Sequence, residues 1–136
     1  MSVSFEGRVA IVTGAGAGLG RCHALGLAER GAKVVVNDLG VATDGSGSGS
    51  DAARAVVEEI RAAGGHAIAN GADVTSADDT RKMVDEAIAE FGHVDILVNN
   101  AGILRDKSFA KMDLSDFAKV LDVHLMGTVN CCKAVW

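Results

Sequence analysis

Apolar and polar positions change rhythm repeatedly along this chain. Four stretches read as buried strands: "RVAIVT", "VVVND", "HAIANGADV" and "VDILVNN". Their β-branched content and near-continuous apolar character fit strands covered on both faces. Segments of helical periodicity follow each one: Leu19 to Arg30, Asp51 to Ala63, Ser76 to Phe91, and Ser115 to Trp136. Thr75 or Ser76 can cap the third helix, and Asp78 and Asp79 favour its positive end. Gly31, Gly64 and Gly92 fall just past helices, where a left-handed residue ends the run. This β-α-β-α-β-α-β-α order predicts parallel strands with right-handed crossovers, a doubly wound sheet with helices on both faces.

One stretch interrupts the rhythm. "GVATDGSGSGSD", Gly40 to Asp51, has the composition of a linker. The strands on either side need one another to bury their faces, so it reads as a long mobile loop inside one domain. Loops of that length are often functional.

Composition narrows the function without naming it. The chain has 136 residues, 49% apolar and 23% charged, as in an ordinary single globular domain. A net charge of -5 argues against a nucleic-acid surface built on Lys and Arg. No apolar run reaches membrane-spanning length, and "MSVSFEGRVA" lacks the basic start and apolar core of a secretion signal. An intracellular, cytoplasmic protein is expected, with neither nucleic acid nor membrane as partner. Cys22, Cys131 and Cys132 cannot all pair and lack zinc-site spacing, so free thiols and no metal are expected. The chain contains no proline and no tyrosine.

The candidate chemistry begins at "VTGAGAGLGR", with Gly14, Gly16, Gly18 and Gly20 at alternate positions. An ATPase phosphate loop would end in Gly-Lys-Ser/Thr, whereas here Gly20 is followed by Arg21 and Cys22. A flexible linker would not sit directly between a strand and a helix. What remains is a strand-to-helix turn whose backbone approaches a pyrophosphate at the helix N-terminus. Its spacing, Thr13-Gly14-x-x-x-Gly18-x-Gly20, departs from G-x-G-x-x-G because Leu19 takes the last position.

Three companions strengthen that reading. Asp38 ends the second apolar run, about twenty residues past the turn, where a carboxylate can accept from ribose hydroxyls and repel a 2′-phosphate. Its neighbours Ala17 and Leu39 are neutral, which favours NAD over NADP. Asp73 and Val74, ending the third run, face the adenine side of such a sheet. "VNNAGILRD" supplies two asparagines able to bond unpaired backbone groups, with Ala101 and Gly102 allowing close approach.

In this order and spacing the features resemble the short-chain dehydrogenase/reductase family, over nearly the whole chain. The resemblance implies a Rossmann-type sheet and a nicotinamide cofactor. It implies cofactor roles for Gly14, Gly16, Gly18, Leu19, Gly20, Asp38, Asp73, Val74, Asn100, Ala101 and Gly102. "VVVNDLG", the Gly/Ser-rich insertion, "VVEEIRAAGGHAIAN", "NNAGILRD" and "VHLMGT" further resemble the dehydrogenase domain of peroxisomal multifunctional β-oxidation enzymes and their bacterial relatives. That resemblance implies NAD-dependent oxidation of (3R)-hydroxyacyl-CoA, with hydroxysteroids accepted by some members. It also implies a peroxisomal location if the source is such a eukaryotic enzyme.

The family's reaction uses Ser, Tyr and Lys, the last two as Y-x-x-x-K, usually with an Asn on the helix after "NNAG". Without tyrosine that motif is absent, so the chain is expected to be the cofactor-binding half, ending before the catalytic segment. His124 stands at the Asn position. Its imidazole can hold a relay water, or can simply bond to backbone. Phe117, Leu121, His124 and Leu125 share helical spacing, which suits the family's subunit-contact helix and a homodimer or homotetramer, or plain core packing. Two other functional readings stay open: a non-catalytic NAD-binding module and an NADPH-dependent 3-oxoacyl reductase.

Overall fold

The computed structural model describes residues 2–40 and 51–136. Four parallel strands form one sheet: β1 (Val9–Val12), β2 (Lys33–Asn37), β3 (Ala67–Asn70) and β4 (Ile96–Val98). The helices are α1 (Gly18–Glu29), α2 (Asp51–Ala62), α3 (Ala77–Phe91), α4 (Leu114–Leu121) and α5 (Gly127–Val135). The strand order is β3-β2-β1-β4. Consecutive strands run outward from β1 to β3, and the chain then crosses back to place β4 on the other side of β1. The direction of winding reverses between β1 and β4, and in open α/β sheets ligands bind beyond the strand C-termini at such a point.

The period-two alternation of β-strands divides the core between the two faces. Val34 and Val36 pack with Val12 against Ala24 of α1 and with Ala53, Val56, Val57 and Ile60 of α2. Val35 points the other way with Ile11, toward Met83, Val84 and Ala87 of α3 and Cys131 of α5. Every residue of β1 is fully buried, because strands flank it and helices cover it on both faces. Each such valine contributes about 1.5–3 kcal/mol relative to an exposed one. Burial also pushes the Cys131 thiol up to about 11.

Local signals ended the helices as expected at several points. Ser76 caps α3, its hydroxyl accepting the Asp79 N–H at 3.2 Å. Gly92 ends α3 at φ 93°, a conformation that side chains with a Cβ avoid.

Three expected elements differ. The third strand stops at Asn70 rather than reaching Val74. Asn70 Oδ1 accepts the Ala72 N–H at 2.9 Å, a local turn that takes the chain off the ladder. The fourth strand is only Ile96–Val98 and is half-buried, since it lies at a sheet edge among the described residues. Finally, the expected helix from Ser115 to Trp136 is two α-helices joined by a π-helical turn, Asp122–Met126. The Gly127 N–H reaches the Asp122 carbonyl there, one residue further back than in an α-helix. Of the loop expected over Gly40 to Asp51, Asp51 begins α2 and residues 41–50 lie outside the described residues. No described helix is long and apolar enough to cross a membrane.

Candidate functional site

A groove of about 570 Å³ opens at the C-terminal ends of all four strands. Its lining comes from the segment after each strand and from the helix that follows β4.

The turn after β1 provides the floor. Gly14 has φ 62°, and a Cβ there would lie 2.8 Å from the Cα of Ala101. A Cβ on Gly20 would overlap the carbonyl of Gly14. Both positions therefore need glycine for the turn to pack against the segment after β4. The N-cap of α1 is Ala17, which has no side chain able to accept its first N–H groups, and the first turn holds no acidic residue. In α3 of the same chain, Ser76, Asp78 and Asp79 occupy those places. The positive end of α1 is therefore neutralised neither by its own cap nor by its first turn.

Asp38 lies one residue past β2, at the side of this turn. One carboxylate oxygen accepts the Gly16 N–H at 2.8 Å, and the other accepts the Gly40 N–H at 2.7 Å. A Cβ on Gly16 would lie 2.7 Å from that carboxylate, so Gly16 is needed for Asp38 to approach. Each carboxylate oxygen retains capacity for a second donor. The groove's only Lys or Arg among the described residues is Lys119 of α4.

Asp73 and Val74 line the groove from the loop after β3. An Asp73 oxygen takes both the N–H and the hydroxyl of Thr75, at 2.9 and 2.7 Å, turning the chain into α3. Val74 is buried, and its carbonyl accepts from Asn130 of α5 at 2.9 Å.

The segment after β4 closes the opposite side. Asn100 Nδ2 donates to the carbonyls of Thr13 and Gly14 at 3.0 and 3.1 Å. The backbone bonding foreseen for this asparagine pair is thus made by Asn100, whereas Asn99 Nδ2 donates to Cys132 Sγ at 3.4 Å. Gly102 lies against the His124 ring, which a Cβ would meet at 2.6 Å. The ring's Nε2 is 3.1 Å from the nitrogen and 2.9 Å from the oxygen of Ile103. Of the two readings for His124, backbone bonding is present, and the residue also lines the groove.

The structure thus brings Gly14, Gly18, Leu19, Asp38, Asp73, Val74, Asn100, Ala101, Gly102 and His124 to one groove. Gly16 and Gly20 shape it from behind. Sequence reasoning missed Thr13 and Asn37 as site builders, and Leu104, Lys119 and Val123 as lining. For Asn37 a signal existed: "VVVN" and "AIAN" both end an apolar run on asparagine.

A doubly wound parallel sheet with a glycine turn at its switch point defines the Rossmann-type class of α/β nucleotide-binding folds. Within that class the chain belongs to the short chain dehydrogenase family, whose model matches residues 8–136. It is 55% identical over 135 residues to the peroxisomal hydratase-dehydrogenase-epimerase of Saccharomyces cerevisiae, covering 99% of this chain and 15% of the yeast protein. It is 57% identical over 132 residues to the peroxisomal multifunctional enzyme type 2 of Drosophila melanogaster, covering 97% of this chain and 22% of that one. Among solved structures, a 7α-hydroxysteroid dehydrogenase complexed with NADH and 7-oxo glycochenodeoxycholic acid superposes with a TM-score of 0.86 at 39% identity. The match covers 97% of this chain and 52% of that one. The chain therefore spans a minor part of these two peroxisomal relatives and about half of the steroid dehydrogenase.

Proposed function

We propose that this chain is the cofactor-binding half of an NAD-dependent oxidoreductase. The reaction moves hydride between a nicotinamide and a secondary alcohol or ketone. The substrate is a (3R)-hydroxyacyl-CoA or a hydroxysteroid-like alcohol, in keeping with the peroxisomal relatives and the steroid dehydrogenase. The location is cytoplasmic, or peroxisomal if the source is a eukaryotic multifunctional enzyme, an option that the peroxisomal relatives support.

The groove fits the group it would hold. The uncapped start of α1 suits a pyrophosphate, and Gly14 and Gly20, where a Cβ would strike Ala101 or the Gly14 carbonyl, let the turn in front of it pack against the segment after β4. When bound, the nicotinamide ring supplies the hydride acceptor or donor. Gly14, Gly18 and Leu19 would contact the pyrophosphate side, with Gly16 and Gly20 shaping the turn behind them, Asp38 the adenosine ribose, and Asp73 and Val74 the adenine. Asn100, Ala101 and Gly102 would carry the chain past the nicotinamide half, with His124 behind them. The Ser, Tyr and Lys that move the substrate proton would come from outside this chain.

The observation that carries the choice of NAD is the Asp38 carboxylate. Two backbone N–H groups fix it at the groove side, 2.8 and 2.7 Å away, and among the described residues no Lys or Arg forms an ion pair with it. A 2′-phosphate placed there would meet a negative charge. An exposed row on the α4–α5 helix, Phe117, Leu121, Leu125 and Val129, supports a dimer or tetramer of the whole protein.

The test is equilibrium binding of NADH and NADPH to the full-length protein and to Asp38→Asn. NADH is expected to bind more tightly, and the substitution to narrow the gap. Tighter NADPH binding by the unsubstituted protein would overturn the NAD assignment and favour the 3-oxoacyl reductase reading.

A further inference from the structure

Two buried asparagines end neighbouring strands at paired positions. Asn37 closes β2, Asn70 closes β3, and the parallel register sets them side by side. Asn37 is 1% exposed and Asn70 8%. By strand alternation they lie on the face of Val35 and Ile68, where apolar residues pack against α3. Two primary amides are unfavourable at such a place unless their polar atoms are partnered.

Their partners converge on one residue. Asn37 Nδ2 donates to Asn70 Oδ1 at 2.9 Å and to the Ala72 carbonyl at 3.0 Å. Asn70 Oδ1 also accepts the Ala72 N–H at 2.9 Å. Asn70 Nδ2 donates outward to Glu86 of α3 at 2.7 Å, which sets the orientation of the whole chain of amides. Both backbone groups of Ala72 are therefore gripped by side chains, just where the ladder has ended and Gly71 leaves the backbone freest.

We propose that Asn37 and Asn70 are positioning residues for adenine recognition. By clamping Ala72 they set the placement of Asp73 and Val74, the two groove residues that follow it. The inference rests on the dinucleotide reading above and adds to it a specific function for a polar pair the core does not need. Residues around the other half of the groove, Asn100 to Leu104 and His124, do not bond to the clamp. Its loss therefore acts on the adenine half alone.

The experiment measures binding of NADH, AMP and reduced nicotinamide mononucleotide to the full-length protein, alongside hydrogen exchange at the Ala72 amide. Asn70→Leu keeps the branched shape and the number of heavy atoms, in a larger side chain, and removes both acceptor bonds. It is expected to weaken NADH and AMP about tenfold, the loss of one or two buried hydrogen bonds. The mononucleotide's affinity stays unchanged and exchange at Ala72 accelerates. The double variant Asn70→Asp with Glu86→Gln reverses only the outward bond, keeps the acceptor for Asn37 and Ala72, and is expected to restore both readouts. If Asn70→Leu does not fold, Asn37→Ser, which removes the bonds to Asn70 Oδ1 and the Ala72 carbonyl, carries the comparison of NADH, AMP and mononucleotide binding. Unchanged NADH and AMP binding in a folded variant, or an equal loss for the mononucleotide, would overturn the clamp. Failure of the unsubstituted protein to bind NADH or AMP overturns the dinucleotide reading itself, a result visible before any substitution is made.

Discussion

Thr13 and Asn100 bond to each other in both directions across the switch point of the sheet. The Thr13 hydroxyl accepts the N–H groups of Asn100 and Ala101 at 3.1 and 3.0 Å, while Asn100 Nδ2 donates back to the Thr13 carbonyl at 3.0 Å. Thr13 is 1% exposed, so these bonds are made away from water. They fasten the glycine turn to the segment after β4 and so fix the two walls of the groove. Asn100→Ala strands the carbonyls of Thr13 and Gly14, and we expect a loss of about 1–3 kcal/mol in stability together with weaker NADH binding. Urea midpoints of the full-length protein check the first. Unchanged midpoints would mean water replaces the amide without cost.

His124 poses a question that one ring nitrogen cannot answer twice. Nε2 lies within hydrogen-bond distance of both the N–H and the C=O of Ile103, and in either neutral tautomer it can serve only one. A carboxamide has an acceptor and a donor side by side. His124→Asn is therefore expected to fold and turn over in the complete enzyme, whereas His124→Ala loses turnover and alters the pH profile. If His124→Ala leaves rate and pH profile unchanged, the residue is only a backbone anchor and has no part in proton relay.

Asp95 introduces an acid-sensitive joint at the other end of the sheet. Its carboxylate accepts the Val9 N–H at 2.8 Å, and this bond, with help from His93 and Arg8, holds its pKa below the ordinary carboxylate range. The folded state thus favours the charged form. Its stabilising contribution is full above the unfolded-state value and disappears as pH falls through the lower folded value. Asp95→Asn should flatten the acid limb of the Tm-against-pH curve and leave the neutral region shifted by a constant. An acid limb identical to that of the unsubstituted protein would show that other carboxylates govern it.

Much of this architecture is legible without coordinates, for reasons that are local. The β-branched runs, the capping serine before α3 and the glycine after it each act within a few residues. Gly14 and Asp38 are about one helix and one strand apart, so their joint placement follows from a single βαβ unit.

Other features depend on contacts that no local pattern carries. The third strand was expected to reach Asp73 and Val74, but the Asn70 side chain captures the Ala72 N–H and ends it early. The long C-terminal helix was expected to be regular. Packing decides otherwise: the wide turn Asp122–Met126 contains His124, which is tied to Ile103, and ends at Gly127, where a Cβ would lie 2.7 Å from Val74. The sequence by itself determined the βα rhythm, the glycine turn and the acidic residue beside it, because each is set by backbone sterics and short-range periodicity. Only the tertiary structure decided that Asn37 and Asn70 grip Ala72 and that Thr13 meets Asn100. Those pairs lie on different strands or on the loops after them, and only the β3-β2-β1-β4 order brings them within reach.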